Sequence, residues 1–255
     1  MAHESKPPNL SLKAALNSLV SVFFPATCVL CKTIVEDLSQ ALVCRKCWNQ
    51  VVPFQGEVCS RCGYAFASLN LQVLSPLCGS CRRDYFQFDF ARSYSNFQDP
   101  LKEIIHQFKY RAHPSLARPL AGLLFSVYRS HLQEFSSDVV APVPLHKSRE
   151  RERGFNQSLL LARTFSHLAD LPLRPCLLAR RRATQIQAGL SRRARRLNLA
   201  GAFSLLQKGE VTGKSILLID DVFTTGATVN ECARLLKGNG AQRVNVLTLA
   251  RVIHG

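Results

Sequence analysis

Eight of the ten cysteines fall between Cys28 and Cys81, and all eight stand in C-x-x-C pairs. The pairs are Cys28/Cys31, Cys44/Cys47, Cys59/Cys62 and Cys78/Cys81, while Cys176 and Cys232 stand alone. A chain built this way must gather its thiols in groups, which limits the N-terminal third to short loops wound around those groups. Twelve residues separate the first two pairs and fifteen the last two, close to the spacing at which two knuckles close on one tetrahedral zinc. Such spacing reads as metal rather than disulfide. Two four-cysteine sites matched in sequence order are the simplest arrangement, and an interleaved matching stays open. Gly63 and Gly79 directly after cysteines, and Pro25 ahead of the first pair, suit tight metal turns of the double zinc ribbon kind. All-thiolate four-coordinate zinc leaves no position for water, so these sites are expected to fold the module rather than to catalyse. A module of about sixty residues has little core and would depend on metal, whose binding is worth about 10–16 kcal/mol in zinc peptides. Nucleic-acid binding by such a ribbon stays open.

The remainder of the 255 residues is long enough, at 47% hydrophobic, for a separate core, so two domains are expected. The net charge of +16 is unevenly placed: residues 141–200 hold thirteen Lys and Arg against three acids. That balance implies an anionic partner, polyphosphate or nucleic acid, or serves solubility alone; composition does not choose. No apolar stretch reaches the roughly eighteen to twenty residues that span a bilayer. Leu10 to Phe24 is mildly apolar but is interrupted by Lys13 and Asn17 and is followed by no small-residue cleavage site, so it reads as a helix packed on the protein rather than a secretory signal. Paired reduced thiols favour a cytoplasmic protein.

The chemistry is concentrated in Ile216-Leu217-Leu218-Ile219-Asp220-Asp221-Val222-Phe223-Thr224-Thr225-Gly226-Ala227-Thr228. Four consecutive apolar residues predict a strand covered on both faces, and Val229, Cys232, Ala233 and Leu236 recur at helical spacing until Gly238-Asn239-Gly240. The loop therefore sits at a helix N-terminus, where unpaired N–H groups and the dipole favour an anion. Thr224, Thr225 and Thr228 add hydroxyl donors, and Gly226 permits close backbone approach. Two carboxylates beside a phosphate need something between them, and vicinal ribose hydroxyls would serve. Adjacent strand residues point to opposite faces, so both acids reach one ligand only if the strand is already turning there. The plainer alternative is an acidic loop that caps the helix.

This run resembles the signature of type I phosphoribosyltransferases, and the chain as a whole resembles the ComF family of competence-associated proteins. The likeness rests on the cysteine module, Val143-Pro144-Leu145, Arg153-Gly154-Phe155-Asn156-Gln157, the set Arg180/Thr184/Gln187/Arg195/Asn198, and the Asp-Asp loop. With the N-terminal helix read from the apolar stretch occupying 1–24, it implies a double zinc ribbon over 25–85, and an α/β, parallel-sheet phosphoribosyltransferase-like domain over 90–255. It also implies that phosphoribosyl pyrophosphate binds with Mg2+, its ribose hydroxyls on Asp220 and Asp221 and its phosphate in the loop Thr224, Thr225, Gly226, Ala227 and Thr228. By the same resemblance Val143, Pro144 and Lys147 contact pyrophosphate, with Lys147, Arg149 or Arg153 on the leaving group. The acceptor is left open.

The residues between add detail. Asp99 to Tyr110 predicts an amphipathic helix with Leu101, Ile104, Ile105 and Phe108 inward, which leaves Lys102 and Lys109 on a solvated face. Val139 to Pro144 predicts a strand ended by prolines, followed by Lys147, Arg149, Arg151 and Arg153 before Gly154; Asn156 and Gln157 then open the next helix. Arg180 to Arg196 holds seven arginines and no acid, which predicts a mobile segment; the resemblance to type I enzymes implies a lid over the donor, and its charge equally suits a grip on single-stranded DNA. Only Phe203 lies nearby as an aromatic stacking partner. Gly209 to Ser215 looks like a nucleotide P-loop but has three residues between its glycines and precedes its strand, so it reads as a turn. Two functions remain: a Mg2+-dependent phosphoribosyltransferase of competence, DNA uptake or nucleotide salvage, and a single-stranded-DNA handler, working with competence-machinery proteins, whose pocket senses a metabolite.

Overall fold

The structure, a computed structural model, describes residues 27–35, 42–66, 76–111, 113–182 and 199–253. The helix expected over 1–24 and the arginine segment from Thr184 to Asn198 lie outside the described residues. Packing divides the chain into two compact units, Met1–Val52 and Pro53–Gly255, and the division falls between the two cysteine groups.

Each cysteine group is built on the same turn. In the first, the Cys28 N–H donates to Thr33 O (2.8 Å), the Lys32 N–H to Cys28 O (2.9 Å), and Thr27 bridges Ile34. In the second, the Cys59 N–H donates to Tyr64 O (2.8 Å), the Gly63 N–H to Cys59 O (2.9 Å), and Val58 bridges Ala65. Lys32 and Gly63 hold the equivalent left-handed position, φ 62° and 68°. A short helix after the third cysteine closes each group, α1 (Arg45–Asn49) and α2 (Gly79–Arg82), with Cys44 and Cys78 as N-caps.

In the second unit a four-stranded, wholly parallel sheet runs in the order β1 (Phe90–Asn96), β6 (Arg243–Arg251), β5 (Ser215–Phe223), β2 (Val139–Pro142). The helices of the crossovers are α3 (Leu101–Tyr110), α4 (Ala117–Ser130), the short α5 (Leu132–Phe135), α6 (Lys147–Arg153), α7 (Gln157–Ala169) and α8 (Ala227–Lys237). A two-stranded ribbon, β3 (Leu178–Arg180) antiparallel to β4 (Phe203–Leu205), lies against α8. This is the α/β parallel-sheet architecture that the family resemblance implies for this part of the chain.

Why the sheet takes this form follows from β5. Ile216 to Ile219 are all fully buried, because alternate side chains point into two cores. Ile216 and Leu218 join Val244, Val246, Leu236 and Phe203 in one core. Cys59, Cys62, Cys78 and Cys81 belong to that same cluster. Packed on β2 and β5 is α7, which meets α4, and its buried Leu161 and Phe165 cover the other face. Each fully buried Leu or Phe contributes about 1.5–3 kcal/mol by leaving water. Helix α3 buries Leu101, Ile104, Ile105 and Phe108, the predicted stripe. Ahead of β5, a 3-10 helix at Lys208–Glu210 and a turn lead into the strand, so the glycine-flanked segment is a turn and not a P-loop, as read from the sequence.

Candidate functional site

The acids lie where β5 outruns its neighbour. Strand β2 stops at Pro142, and the last bond between the two edges runs from the Val143 N–H to Ile219 O (3.0 Å). Contrary to expectation, the strand does not turn at Asp220: its ladder with β6 continues to the Phe223↔Arg251 pair. What opens the edge is the loss of β2, so both acids stay within the strand and face different neighbours.

The Asp220 Oδ1 accepts from the Ser158 hydroxyl (2.8 Å) and from the Asp221 N–H (2.9 Å). Ser158 is placed by its helix start. Asn156 caps α7 by accepting from the Ser158 and Leu159 N–H groups, and its amide donates to Val143 O (3.3 Å). One residue thus ties the turn after β2, the start of α7 and the first acid. Burial, and then the neighbouring Asp221 carboxylate, push the Asp220 acid up to about 7 despite the opposing Ser158 bond and Lys109 charge.

Asp221 is 4% exposed and pairs with the Lys109 ammonium at 2.9 Å. The solvated face expected for Lys109 is therefore wrong, whereas Lys102 is exposed as predicted. Amphipathic spacing places a residue on a helix but cannot see a partner brought from β5. Tyr110, next in α3, accepts a hydrogen bond at its hydroxyl from Arg153 (3.0 Å) and lies with its ring under the Arg153 guanidinium at 4.6 Å. Arg153 also donates to Gln157 (3.0 Å). Lys147 stays exposed at the start of α6. Lys109, Ser158 and Tyr110 are site residues that no motif announces.

Beyond Phe223 the chain turns through Thr224 and Thr225 to Gly226, the N-cap of α8 at φ 77°. A Cβ there would lie 2.7 Å from Phe223 Cε1 and 2.9 Å from Phe86 Cε1, so backbone conformation and packing both demand glycine. The first-turn N–H groups of the eleven-residue α8 face this loop with its dipole behind them. Thr225 Oγ1 is buried with no hydrogen-bond partner, a donor left for a ligand. Thr224 is exposed, Thr228 half-buried and Ala227 buried. A cavity of about 440 Å³ adjoins the loop, lined by Thr224, Thr225 and Arg251 together with Ser80, Arg83 and Tyr85.

The expectation of mobility for the arginine segment fails at its first residue. Arg180 sits in β3 opposite Phe203, its guanidinium 5.5 Å from that ring, and Phe203 is 7% exposed. Phe203 is therefore core and not a stacking platform for bases. An isolated bridge from His146 to Arg180 ties this ribbon to the turn after β2.

The metal-ligand geometry follows the sequential pairing. Cys28, Cys31, Cys44 and Cys47 form one group and Cys59, Cys62, Cys78 and Cys81 another, the sulfurs of each lying within 4.8 Å of one another. Sulfur separations of 3.5 Å (Cys31–Cys44), 3.6 Å (Cys62–Cys78) and 3.9 Å (Cys28–Cys47) match the edge of about 3.8 Å implied by a tetrahedron with Zn–S of about 2.3 Å. The Cys44 N–H donates to Cys28 Sγ and the Cys78 N–H to Cys59 Sγ, both at 3.3 Å, so the thiolates are supported from the backbone. In the second group, hydrogen bonds from Cys62 and Cys81 lower the Cys59 thiol and raise their own. The donor set fits two zinc ions.

Comparison with known proteins keeps both cysteine groups in one N-terminal domain. A double zinc ribbon domain matches residues 19–82 and a phosphoribosyl transferase domain matches residues 109–255. Competence protein F of Haemophilus influenzae is 33% identical over 233 residues, 90% of this chain and 98% of that protein. DNA utilization protein YhgH of Salmonella typhimurium is 34% identical over 232 residues, again 90% and 98%. Competence protein ComFC of Bacillus subtilis is 30% identical over 216 residues, 82% and 84%. Among solved structures, an allosteric regulatory enzyme of purine biosynthesis is 19% identical with a TM-score of 0.39; the match covers 56% of this chain and 29% of that one. No helix of the described residues is long and apolar enough to cross a membrane. Identity at this level across nearly the whole length places the chain in the ComF family, which joins a double zinc ribbon to a phosphoribosyl transferase domain.

Proposed function

We propose that the protein binds phosphoribosyl pyrophosphate at the open end of β5, with the 5-phosphate in the Thr224–Thr228 loop and the ribose hydroxyls on Asp220 and Asp221, both acids being reached through the edge that β2 leaves open beyond Pro142 rather than through a turn of the strand. The observation that carries this reading is the conjunction of the buried Asp221 and half-buried Asp220 with a glycine-capped helix start and the partnerless Thr225 hydroxyl, all at one strand end. Mg2+ would be held by pyrophosphate oxygens and water, and would neutralise charge on the leaving group. The chain's residues position the donor. The loop holds its phosphate, the acids accept from its diol, and Arg153, Lys147 and the Val143–Pro144 turn lie toward the leaving pyrophosphate. In transfer, the C1–O bond to pyrophosphate breaks with its electron pair, an acceptor nitrogen bonds to C1, and the nitrogen loses its proton. Catalysis here is positioning and charge stabilisation around an oxocarbenium-like carbon.

The relatives' names attach them to competence and DNA utilization, and we extend that to this chain as a cytoplasmic role in handling DNA or its nucleotides. Single-stranded DNA is the second reading, gripped by the arginines from Arg180 to Arg196 with competence-machinery proteins as partners. The buried Phe203 weighs against base stacking in that region.

Titration of the zinc-loaded protein with phosphoribosyl pyrophosphate and Mg2+, followed by a nucleobase screen for pyrophosphate release, tests the proposal. Binding with release identifies a transferase, binding without release a sensor, and no binding contradicts the site. The pH profile adds a check on location. Burial pushes Asp220 up to about 7, and its carboxylate is a stronger acceptor for a ribose hydroxyl than the protonated acid, so affinity should climb as pH rises through about 7. In the ligand-free protein the sign is opposite. The raised acid keeps its proton when folded and loses it when unfolded, so it contributes a loss of stability between about pH 4 and pH 7. Asp220→Asn should remove both trends.

A further inference from the structure

The unexplained feature of the site is Lys109. Its ammonium lies 2.9 Å from Asp221 Oδ2, with the two side chains only 17% and 6% exposed. Apart from this ion pair, Asp221 Oδ2 is buried and has no hydrogen-bond donor. A surface lysine swings to water to shed such a pairing, but this one is fixed on both sides in α3. Phe108 before it is fully buried and packs against Phe155 with ring centroids 5.6 Å apart, and Tyr110 after it is held by Arg153. The chain thus delivers a cation to the spot where two carboxylates would otherwise repel each other and an incoming phosphate.

We infer that Lys109 is the resident cation of the acid pair, a positioning residue that neutralises Asp220 and Asp221 and stands between them and the ligand's phosphates, so that the pair itself takes up no divalent metal. The inference rests on the sugar-phosphate reading for its ligand but not for its charge logic. Two carboxylates and one ammonium carry at most one net negative charge, and a ribose diol adds none. Any divalent ion is then left to the pyrophosphate, and a sugar phosphate lacking pyrophosphate should bind without metal. A purely structural ion pair would make no such demand, since its loss only leaves a buried charge uncompensated.

The experiment compares the wild-type chain, Lys109→Met and Lys109→Arg, all zinc-loaded, using ribose 5-phosphate by calorimetry and Mn2+ alone by electron paramagnetic resonance. Wild type should bind ribose 5-phosphate equally well with and without Mg2+ and should take up no Mn2+ that neutralising Asp220 and Asp221 removes. Lys109→Met should lose about tenfold or more of its ribose 5-phosphate affinity in metal-free buffer, the weight of a charged hydrogen bond, and regain it when Mn2+ is added. It should also bind Mn2+ without ligand, while Lys109→Arg stays close to wild type. Unchanged affinity and no new Mn2+ site in Lys109→Met would overturn the inference. So would an acid-dependent Mn2+ site in the ligand-free wild type, a result that stands even if Lys109→Met does not fold. If wild type binds neither ribose 5-phosphate nor phosphoribosyl pyrophosphate, the sugar-phosphate reading falls while the Mn2+ measurements still decide the role of Lys109.

Discussion

The two cysteine groups use one turn in two settings. The first has Lys32 at its left-handed position, with the ammonium donating to Val29 O, and it leaves Cys31 exposed. The second has Gly63 there because a Cβ would come 3.0 Å from Ala91 O, and all four of its cysteines are buried. Three arginines hold the second group to the sheet. Arg61 donates to Phe86 O and Phe88 O, Arg92 to Ser60 O, and Arg251 to Cys62 O and towards Cys62 Sγ. Four thiolates around zinc carry net negative charge, so buried guanidiniums beside them compensate it, with Arg251 only 7% exposed. Arg251 in turn lies 4.0 Å over Phe223, the residue that wedges Gly226 into its cap. The same knuckle turn thus leaves one cysteine exposed in the first group and is a piece of the sheet domain's core in the second.

The largest expected effect separates the groups outright. Cys59→Ser with Cys62→Ser should abolish folding of the Pro53–Gly255 unit, because zinc binding worth about 10–16 kcal/mol is comparable to a whole domain's stability. Cys28→Ser with Cys31→Ser should cost one zinc and leave that unit's melting transition in place. Thermal melts with elemental analysis read both, and equal damage from the two variants would break the comparison.

A smaller effect is expected at Arg251. Arg251→Met leaves thiolate charge uncompensated in the core and should cost about 3–5 kcal/mol. It should also speed chelator-driven zinc release in one kinetic phase only, that of the second group. The smallest effect is expected at the paired turn positions. Gly63→Ala should destabilise by about 1–3 kcal/mol through its left-handed backbone and the Ala91 contact. Lys32→Gly should stay within about 0.5 kcal/mol, as for an ordinary surface change. Matching shifts in the two melts would show that the second knuckle is no more enclosed than the first.

Local chemistry made much of this legible in the sequence. Ile216–Ile219 reads as a doubly covered strand because four apolar residues in a row have no solvent face, and the spacing of the cysteine pairs marks metal sites while the choice of sequential over interleaved matching comes from the grouping of the sulfurs. The loop from Thr224 to Thr228 carries its own signal in glycine and hydroxyls. Hidden from the sequence were contacts between distant residues: Ser158 with Asp220, 62 positions apart, Arg251 with Cys62, 189 apart, and Lys109 with Asp221. Such pairings depend on sheet order and crossover placement, so helix periodicity assigned Lys109 to water and charge density assigned Arg180 to a mobile segment. The different fates of the two knuckles were likewise invisible, since only Gly63 against Lys32 marks them locally.

The most direct test of the acid pair is calorimetric titration of phosphoribosyl pyrophosphate and Mg2+ into wild type and into the Asp220→Asn, Asp221→Asn double variant, with zinc content and melting checked in both. The account predicts saturable binding in wild type and none in the double variant, since two acceptors each worth about 1.5–3 kcal/mol as charged hydrogen bonds would be lost from a variant that still holds its two zinc ions. Unchanged affinity in the double variant would mean that the acids only cap the strand end and that the sugar phosphate, if bound, lies elsewhere.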